Sequence, residues 1–455
     1  MGAPPGRMDE DQPARARDGR ADRATWARRA VSLVLLLVAA GCYVGIVVAR
    51  SGPPPGGDTT PLTAVTSALA DGNLRVAASA GSLPNPPGYP LLVSPFVAAF
   101  PSAVGAPTWC TPPARVRPPA AGGVRVSAPH GVIECGAAGV AVALPPWYRA
   151  QGLLGVASWL VLALGALAVL RAADADTVGR QAGLLAFLAF LPAASSAIVQ
   201  LFHPQDVVSL GLALAGTAQV LRRRWILAGV LFGVAVLTKQ FALLLLLPAL
   251  VAVPDRRSRL TVAGGAAVVV AAGLLPFLVV DPRATLENLS GFSAGGAAAG
   301  QTVLTLAGVR GTVASAVARD APLLFAALAC MWALRRPGMR LDRPTNLVAL
   351  ALVCAGSRLV FESVVFPYYL LAASVLVFLL DLVARRSPHW SLAWCAAAAF
   401  FVAVHPGNRA VAAFGTLALA AIVVAYGVVC LRRDDAGPKI RLVPTVGGDG
   451  PERRT

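Results

Sequence analysis

Apolar runs long enough to cross a lipid bilayer recur between residues 31 and 431, and they limit the possible folds more than any other feature. A spanning helix needs about 20 mostly apolar residues, because its backbone has no water to bond inside the hydrocarbon. Hydrophobic residues make up 56% of the chain and charged residues only 13%, about half the usual share. These values exclude an ordinary soluble enzyme and a disordered chain, and they predict an all-α polytopic membrane protein.

The apolar runs predict about twelve spans within a transmembrane domain at 31–431. Polar, Arg-rich tails at 1–30 and 432–455 are expected to be disordered. Two outer segments are large, 50–150 and 281–320. Leu91 to Ala106 is interrupted by proline and is interpreted as interfacial or re-entrant, and the short runs near 224–254 could form one bent hairpin. The predicted spans are 31–49, 151–171, 181–201, 205–221, 224–238, 240–254, 259–280, 321–335, 344–361, 367–384, 391–405 and 410–431.

The basic residues predict the orientation of the chain. With the N-terminus inside, 27 of the 39 basic residues fall in inner segments, although the outer loops are longer. Inner loops of membrane proteins carry such an excess, so both termini are predicted to be cytoplasmic, in a multi-pass protein of the plasma membrane. The net charge of +17 is therefore attributed to orientation and to contact with membrane lipids, and no nucleic-acid partner is expected.

Two cysteines lie in the first outer loop, Cys110 and Cys135. An oxidising compartment outside the membrane would allow them to form a disulfide. The sequence has no CxxC, no Cys/His metal spacing and no HExxH motif. No metal site and no cofactor are therefore expected.

Ionisable residues gather near the outer ends of several predicted spans. Each could be an ordinary solvated loop residue, but polar groups at the membrane are costly unless they line a wet or buried site. Together they offer carboxylates, histidine and cations on one side of the membrane. They are Asp58, Asp71, His203, Asp206, Lys239, Arg358 and Glu362.

Four motifs, in their order along the chain, resemble the membrane glycosyltransferases of the GT-C class. The closest resemblance is to bacterial polyprenyl-phosphate-mannose-dependent mannosyltransferases of the family 87 type, over about residues 30–430. The motifs are Asp58 followed by Ala70-Asp71-Gly72 and Asn85-Pro86-Pro87-Gly88-Tyr89-Pro90, then His203-Pro204-Gln205-Asp206, then Thr238-Lys239-Gln240, and finally Arg358 through Phe366-Pro367-Tyr368-Tyr369.

The resemblance implies an enzyme that transfers mannose, or another hexose or pentose, from a polyprenyl-phosphate donor to a lipid or cell-envelope glycan acceptor. Asp58 is the expected general base, with Asp71 second. Lys239, Arg358 and His203 are the candidates for binding the donor phosphate.

The other predicted substrate-binding residues are Asp206, Glu362 and Tyr369. Tyr369 and its neighbour Tyr368 could line the lipid groove or belong to the aromatic belt. The alternatives are a transporter or lipid flippase, and a non-catalytic scaffold. The sequence shows no convincing internal repeat and its charges gather at one face, which favours the enzyme.

Overall fold

The computed structural model describes most of the chain, and the statements below concern those residues. The described ranges are 30–45, 59–79, 86–99, 124–128, 131–135, 147–200, 202–290, 302–309, 311–362, 365, 367–404 and 409–435. The predicted tails lie almost entirely outside these ranges, as do Asp58 and Cys110.

Helices account for nearly all of the described secondary structure. The bounds are α1 Ala30–Gly45, α2 Thr59–Ala70, α3 Leu74–Ser79, α4 Gly88–Ala99, α5 Trp147–Ala172, α6 Val178–Phe190, α7 Pro192–Ser195, α8 Pro204–Leu221, α9 Trp225–Thr238, α10 Leu243–Ala252, α11 Arg256–Val280, α12 Pro282–Ser290, α13 Val303–Leu306, α14 Gly311–Arg335, α15 Pro344–Phe361, α16 Leu370–Val383, α17 His389–Val404 and α18 Arg409–Asp435. Short 3₁₀ turns at Gln240–Ala242 and Pro367–Tyr369 precede α10 and α16, and a π-helical turn at Ser196–Gln200 follows α7.

The segment predicted to form the first outer loop, 50–150, also contains a β-hairpin. Strands β1 (Val124–Ala128) and β2 (Gly131–Cys135) pair antiparallel, with Val124 opposite Cys135. The stretch interpreted as interfacial begins as helix α4, which accommodates Pro95.

The structure shows a helical membrane protein but does not support a count of twelve spans. Within the described residues, five helices are long and apolar enough to cross a membrane, or six if the bent pair α6 and α7 counts as one. The helices in the predicted hairpin are shorter, since α9 has 14 residues and α10 has 10. At 1.5 Å per residue, neither alone reaches across ~30 Å of hydrocarbon.

Small residues allow the central helices to approach closely. Gly211 of α8 faces α5 so tightly that a Cβ there would lie 2.6 Å from the carbonyl carbon of Val161. Gly229 and Gly233, a small-xxx-small pair in the sequence, bring α9 against α11, where added Cβ atoms would lie 2.6 and 2.8 Å from backbone oxygens. Glycine at these contacts replaces side-chain bulk with backbone-to-backbone packing.

The helix ends bring four separate sequence segments to one end of the bundle. The segments are the start of α8, the break between α9 and α10, the end of α15 and the start of α16. A separate contact joins the loop after α5 to the loop after α16, where Arg385 Nη2 donates to the carbonyl oxygen of Asp174 at 3.3 Å. Both of these loops were predicted to be on the inner side.

Candidate functional site

A buried carboxylate, Asp206, is the centre of the polar cluster. It lies in the first turn of α8, and only 3% of its surface is exposed. Its Oδ2 lies 3.3 Å from Nζ of Lys239, and its Oδ1 lies 3.9 Å from Nη1 of Arg358. The positive end of the helix dipole and both cations therefore stabilise this carboxylate, which in turn fixes the two cations relative to each other.

Lys239 is held where the chain leaves α9. Its backbone is extended, and its amide still donates to the carbonyl oxygen of Ala235 at 2.9 Å. The Ser209 hydroxyl of α8 donates to the same carbonyl oxygen at 2.9 Å. The helix thus breaks at Lys239, and the break directs the ammonium toward Asp206.

Arg358 lies in the last turn of α15, between a carboxylate and two aromatic rings. Its Nε donates to Oε1 of Glu362 at 2.5 Å, an i,i+4 contact. Its Cζ lies 4.3 Å from the ring centre of Tyr369 and 5.2 Å from that of Phe241. Cation–π contact with both rings orients the guanidinium plane and shields it from water.

Glu362 follows the last residue of α15 and is buried. Burial raises the pKa of its carboxyl above the ordinary value, while the Arg358 guanidinium and the Lys239 ammonium oppose that rise. The carboxyl is therefore more easily protonated than an exposed glutamate, although a cation lies beside it.

His203 forms the opposite edge of the cluster, just before α8. Its ring stacks on Tyr368 with centroids 4.2 Å apart, and Nδ1 lies 3.2 Å from Nε2 of Gln205. Asp206 Oδ2 lies 3.9 Å from the same Nδ1. Tyr368 meets Tyr369 edge to face at 4.7 Å, so the aromatic pair connects the histidine to the arginine.

A cavity of about 390 Å³ opens beside the cluster. Lys239, Arg358, Glu362 and Tyr369 line one part of it, whereas His203 and Asp206 do not line it. Most of the remaining wall is aliphatic. It includes Leu243, Leu244, Val270, Leu274 and Leu323, from α10, α11 and α14.

The Pro86-Pro87-Gly88-Tyr89-Pro90 run, before and at the start of α4, packs against the Lys239 turn. A Cβ on Gly88 would lie 2.5 Å from both the Leu237 oxygen and the Thr238 nitrogen, so only glycine fits at this contact. Pro86, two residues earlier, lines the cavity. Helix α12 contributes Leu289 to the wall, and Gln240 Nε2 donates to the Leu289 carbonyl oxygen at 3.3 Å.

The structure brings all six predicted substrate-binding residues together, although they are spread over more than 160 positions of sequence. Asp71 is exposed in the turn after α2 and does not line the cavity. Asp58 and the Cys110–Cys135 pair are not tested, because Asp58 and Cys110 lie outside the described residues. Within the described ranges, no group of three or more His, Cys, Asp or Glu side chains is arranged to hold a metal ion.

Three residues that line the cavity near the cluster, Phe241, Arg319 and Asp320, were not predicted from the sequence. Phe241 stands two residues after Lys239, and that proximity was its only signal. Arg319 and Asp320 of α14 line the cavity, but they lie in a segment that has no resemblance to the quoted motifs.

Part of the chain matches a known protein family. Residues 137–361, about half of its length, match the family model of glycosyltransferase family 87. The matched region contains α8, α9 and α15, and so four of the six clustered residues; Glu362 and Tyr369 lie just beyond it. No curated protein sequence matches the chain. The family match confirms the resemblance drawn from the motifs and indicates a membrane glycosyltransferase.

Proposed function

From this assignment to glycosyltransferase family 87, we propose that the protein transfers a sugar from a polyprenyl-phosphate donor to a lipid or cell-envelope glycan acceptor at the outer face of the plasma membrane. The sugar is mannose or another hexose or pentose. The observation that carries this proposal is one cavity with two different walls. Lys239 and Arg358 line one part of it, and aliphatic side chains form most of the rest.

The cations suit the phosphate of such a donor. Arg358 uses Nε for Glu362, while Asp206 lies 3.9 Å from Nη1, beyond hydrogen-bonding distance. Most of the five guanidinium N–H groups therefore remain available to phosphate oxygens. Lys239 adds a compact charge from the other side of Asp206. The departing lipid phosphate is already a stable anion, so it needs these charges more than it needs a general acid.

The aliphatic wall suits the prenyl chain. Leu243 and Leu244 are the first residues of the apolar helix α10. Val270 and Leu274 come from α11, which is largely exposed on the outside of the bundle. A prenyl chain lying along this wall would stay in apolar surroundings while its phosphate reaches the cations. Tyr369 lies at the junction, in contact with Arg358.

The remaining requirement is a base for the acceptor hydroxyl, and Asp58 is our candidate. The base would take the hydroxyl proton as its oxygen attacks the anomeric carbon and the bond from that carbon to the phosphate oxygen breaks, which inverts the anomeric centre. Asp58 directly precedes α2, and α2 packs against α4, which begins at Gly88 beside the Lys239 turn. Asp71 is the second candidate.

The proposed orientation follows the basic residues. Both termini are cytoplasmic, and shorter apolar helices supply spans beyond the five or six long ones. Helices α9 and α10 are the two arms of one hairpin that returns the chain to the same side, so neither has to cross the membrane alone. This arrangement places the cluster outside the cytoplasm, where nucleotide sugars are absent and a lipid-carried donor is required.

The proposal is tested with protein in lipid nanodiscs and a radiolabelled polyprenyl-phosphate mannose donor. Asp58→Asn keeps the side-chain shape but removes the basic oxygen, so transfer should be abolished while donor binding persists. Lys239→Ala and Arg358→Ala should weaken donor binding, whereas Arg340→Ala, on the exposed loop after α14, should not. Full transfer by Asp58→Asn would refute the base assignment, and unchanged donor binding by both cation variants would refute the phosphate site. Glycan profiling of a deletion strain then identifies the sugar and the acceptor.

A further inference from the structure

A second charged pair faces the cavity, from helix α14. Arg319 donates from Nε and Nη2 to the two carboxylate oxygens of Asp320, at 2.8 and 3.0 Å. Both residues line the same cavity as Lys239 and Arg358. The cavity therefore has two polar regions, one carried by α9 and α15 and the other by α14, and mostly aliphatic side chains around them.

The Arg319–Asp320 pair does not join elements of the fold. The two residues are neighbours in sequence, and within the described part of the chain neither has another ionic partner. Their side chains are 43% and 62% exposed, and exposed pairs contribute little to stability. Yet the pair interrupts a long apolar helix, where charges are costly and carry a functional expectation.

We infer that Asp320 binds hydroxyl groups of the sugar being transferred and that Arg319 positions its carboxylate. This inference rests on the proposed function. A polyprenyl-phosphate sugar has an apolar chain, a phosphate and a polyhydroxylated ring. The cavity offers a matching surface for each part, namely the aliphatic wall, the Lys239 and Arg358 cations, and the Asp320 carboxylate.

The chemistry of the pair favours the sugar over the phosphate. An ionised carboxylate has about four acceptor positions, and the guanidinium uses two of them, so two remain for neighbouring hydroxyl groups. Arg319 uses both Nε and Nη2 on Asp320, so fewer of its donors remain for a phosphate. Arg358 donates only Nε to Glu362. The contacts of Lys239 and Arg358 with Asp206 are longer, at 3.3 and 3.9 Å, so these two cations keep more unused donors.

The test compares two lipids on the intact protein in nanodiscs: a polyprenyl phosphate bearing a sugar and the same polyprenyl phosphate without one. Mannosyl, glucosyl and arabinosyl forms are each used. The wild-type protein should bind at least one sugar-bearing form more tightly than the bare phosphate. Asp320→Asn should weaken binding of that form about tenfold, the usual effect of losing a hydrogen bond to a charged group. Binding of the bare lipid should not change.

The controls separate this assignment from general damage. Asp342→Asn disrupts a comparable exposed pair with Arg340, outside the cavity, and should change neither affinity. Lys239→Ala should weaken binding of both lipids. Equal weakening of both lipids by Asp320→Asn, or no weakening of either, would overturn the inference while leaving the phosphate site intact. Wild-type protein that binds neither lipid would overturn the proposed function, and the inference with it.

Discussion

Substituting Asp206 tests whether the cluster is held together by its buried carboxylate. At an effective dielectric constant of 20, charges 3.3 and 3.9 Å apart attract by about 5 and about 4 kcal/mol before desolvation is counted. Removing one partner of a buried ion pair costs about 3–5 kcal/mol, because an uncompensated charge remains. Asp206→Asn preserves the shape of the side chain and leaves the Lys239 ammonium without a carboxylate contact among the described residues.

The assay is thermal unfolding in detergent, arranged as a double-mutant cycle with Lys239→Met. The unfolding entropy is about 2.1 cal/mol/K per residue. For a chain of 455 residues, a loss of 1 kcal/mol in the free energy of unfolding therefore lowers the unfolding temperature by about 1 °C. Asp206→Asn should therefore lower the unfolding temperature by about 3–5 °C. Lys239→Met should lower it less, because Asp206 keeps Arg358, and the double variant should be no less stable than Asp206→Asn alone. Asp342→Asn, in an exposed pair, should shift the temperature by less than about 1 °C.

An Asp206→Asn variant that unfolds at the wild-type temperature would show that this carboxylate does not stabilise the cluster. A double variant whose unfolding temperature falls by the sum of the two single losses would show that Asp206 and Lys239 do not interact, because independent side chains give additive losses.

Three further predictions concern other parts of the molecule. Gly88→Ala should lower the free energy of unfolding by about 1–3 kcal/mol and reduce sugar transfer, because the added Cβ would displace the Lys239 turn. As a control, Gly264→Ala, where the space around the Cα is open, should be neutral in the same unfolding and transfer assays. Cys110 and Cys135 should appear as one disulfide-linked peptide in non-reducing mass spectrometry, and reducing the disulfide should lower the free energy of unfolding by about 3 kcal/mol. Thiol labelling of both cysteines in intact cells would exclude the bond. A reporter fused after Arg386 should be cytoplasmic, and an external signal there would contradict the proposed orientation.

Much of the fold was predictable from local sequence. Hydropathy identified the apolar segments, and a helix lies in nearly every predicted span because backbone hydrogen bonding in lipid allows few alternatives. The Gly229-xxx-Gly233 pattern is typical of a close helix contact, and in the structure this contact is with α11. The number of spans was not predictable in this way, since short helices such as α9 and α10 depend on their neighbours to be buried.

The candidate site was also predictable only in part. The sequence alone predicted five of the six residues, because ionisable groups beside apolar runs are rare and costly, and it predicted Tyr369 from its motif. It did not show that Asp206 lies between Lys239 and Arg358, that Phe241 packs against the Arg358 guanidinium, or that Arg319 and Asp320 face the same cavity. The type and position of a helix are set by residues within a few turns of one another. Contacts between residues far apart in sequence are decided only when all the helices pack together, and glycines such as Gly88 set how closely the segments approach.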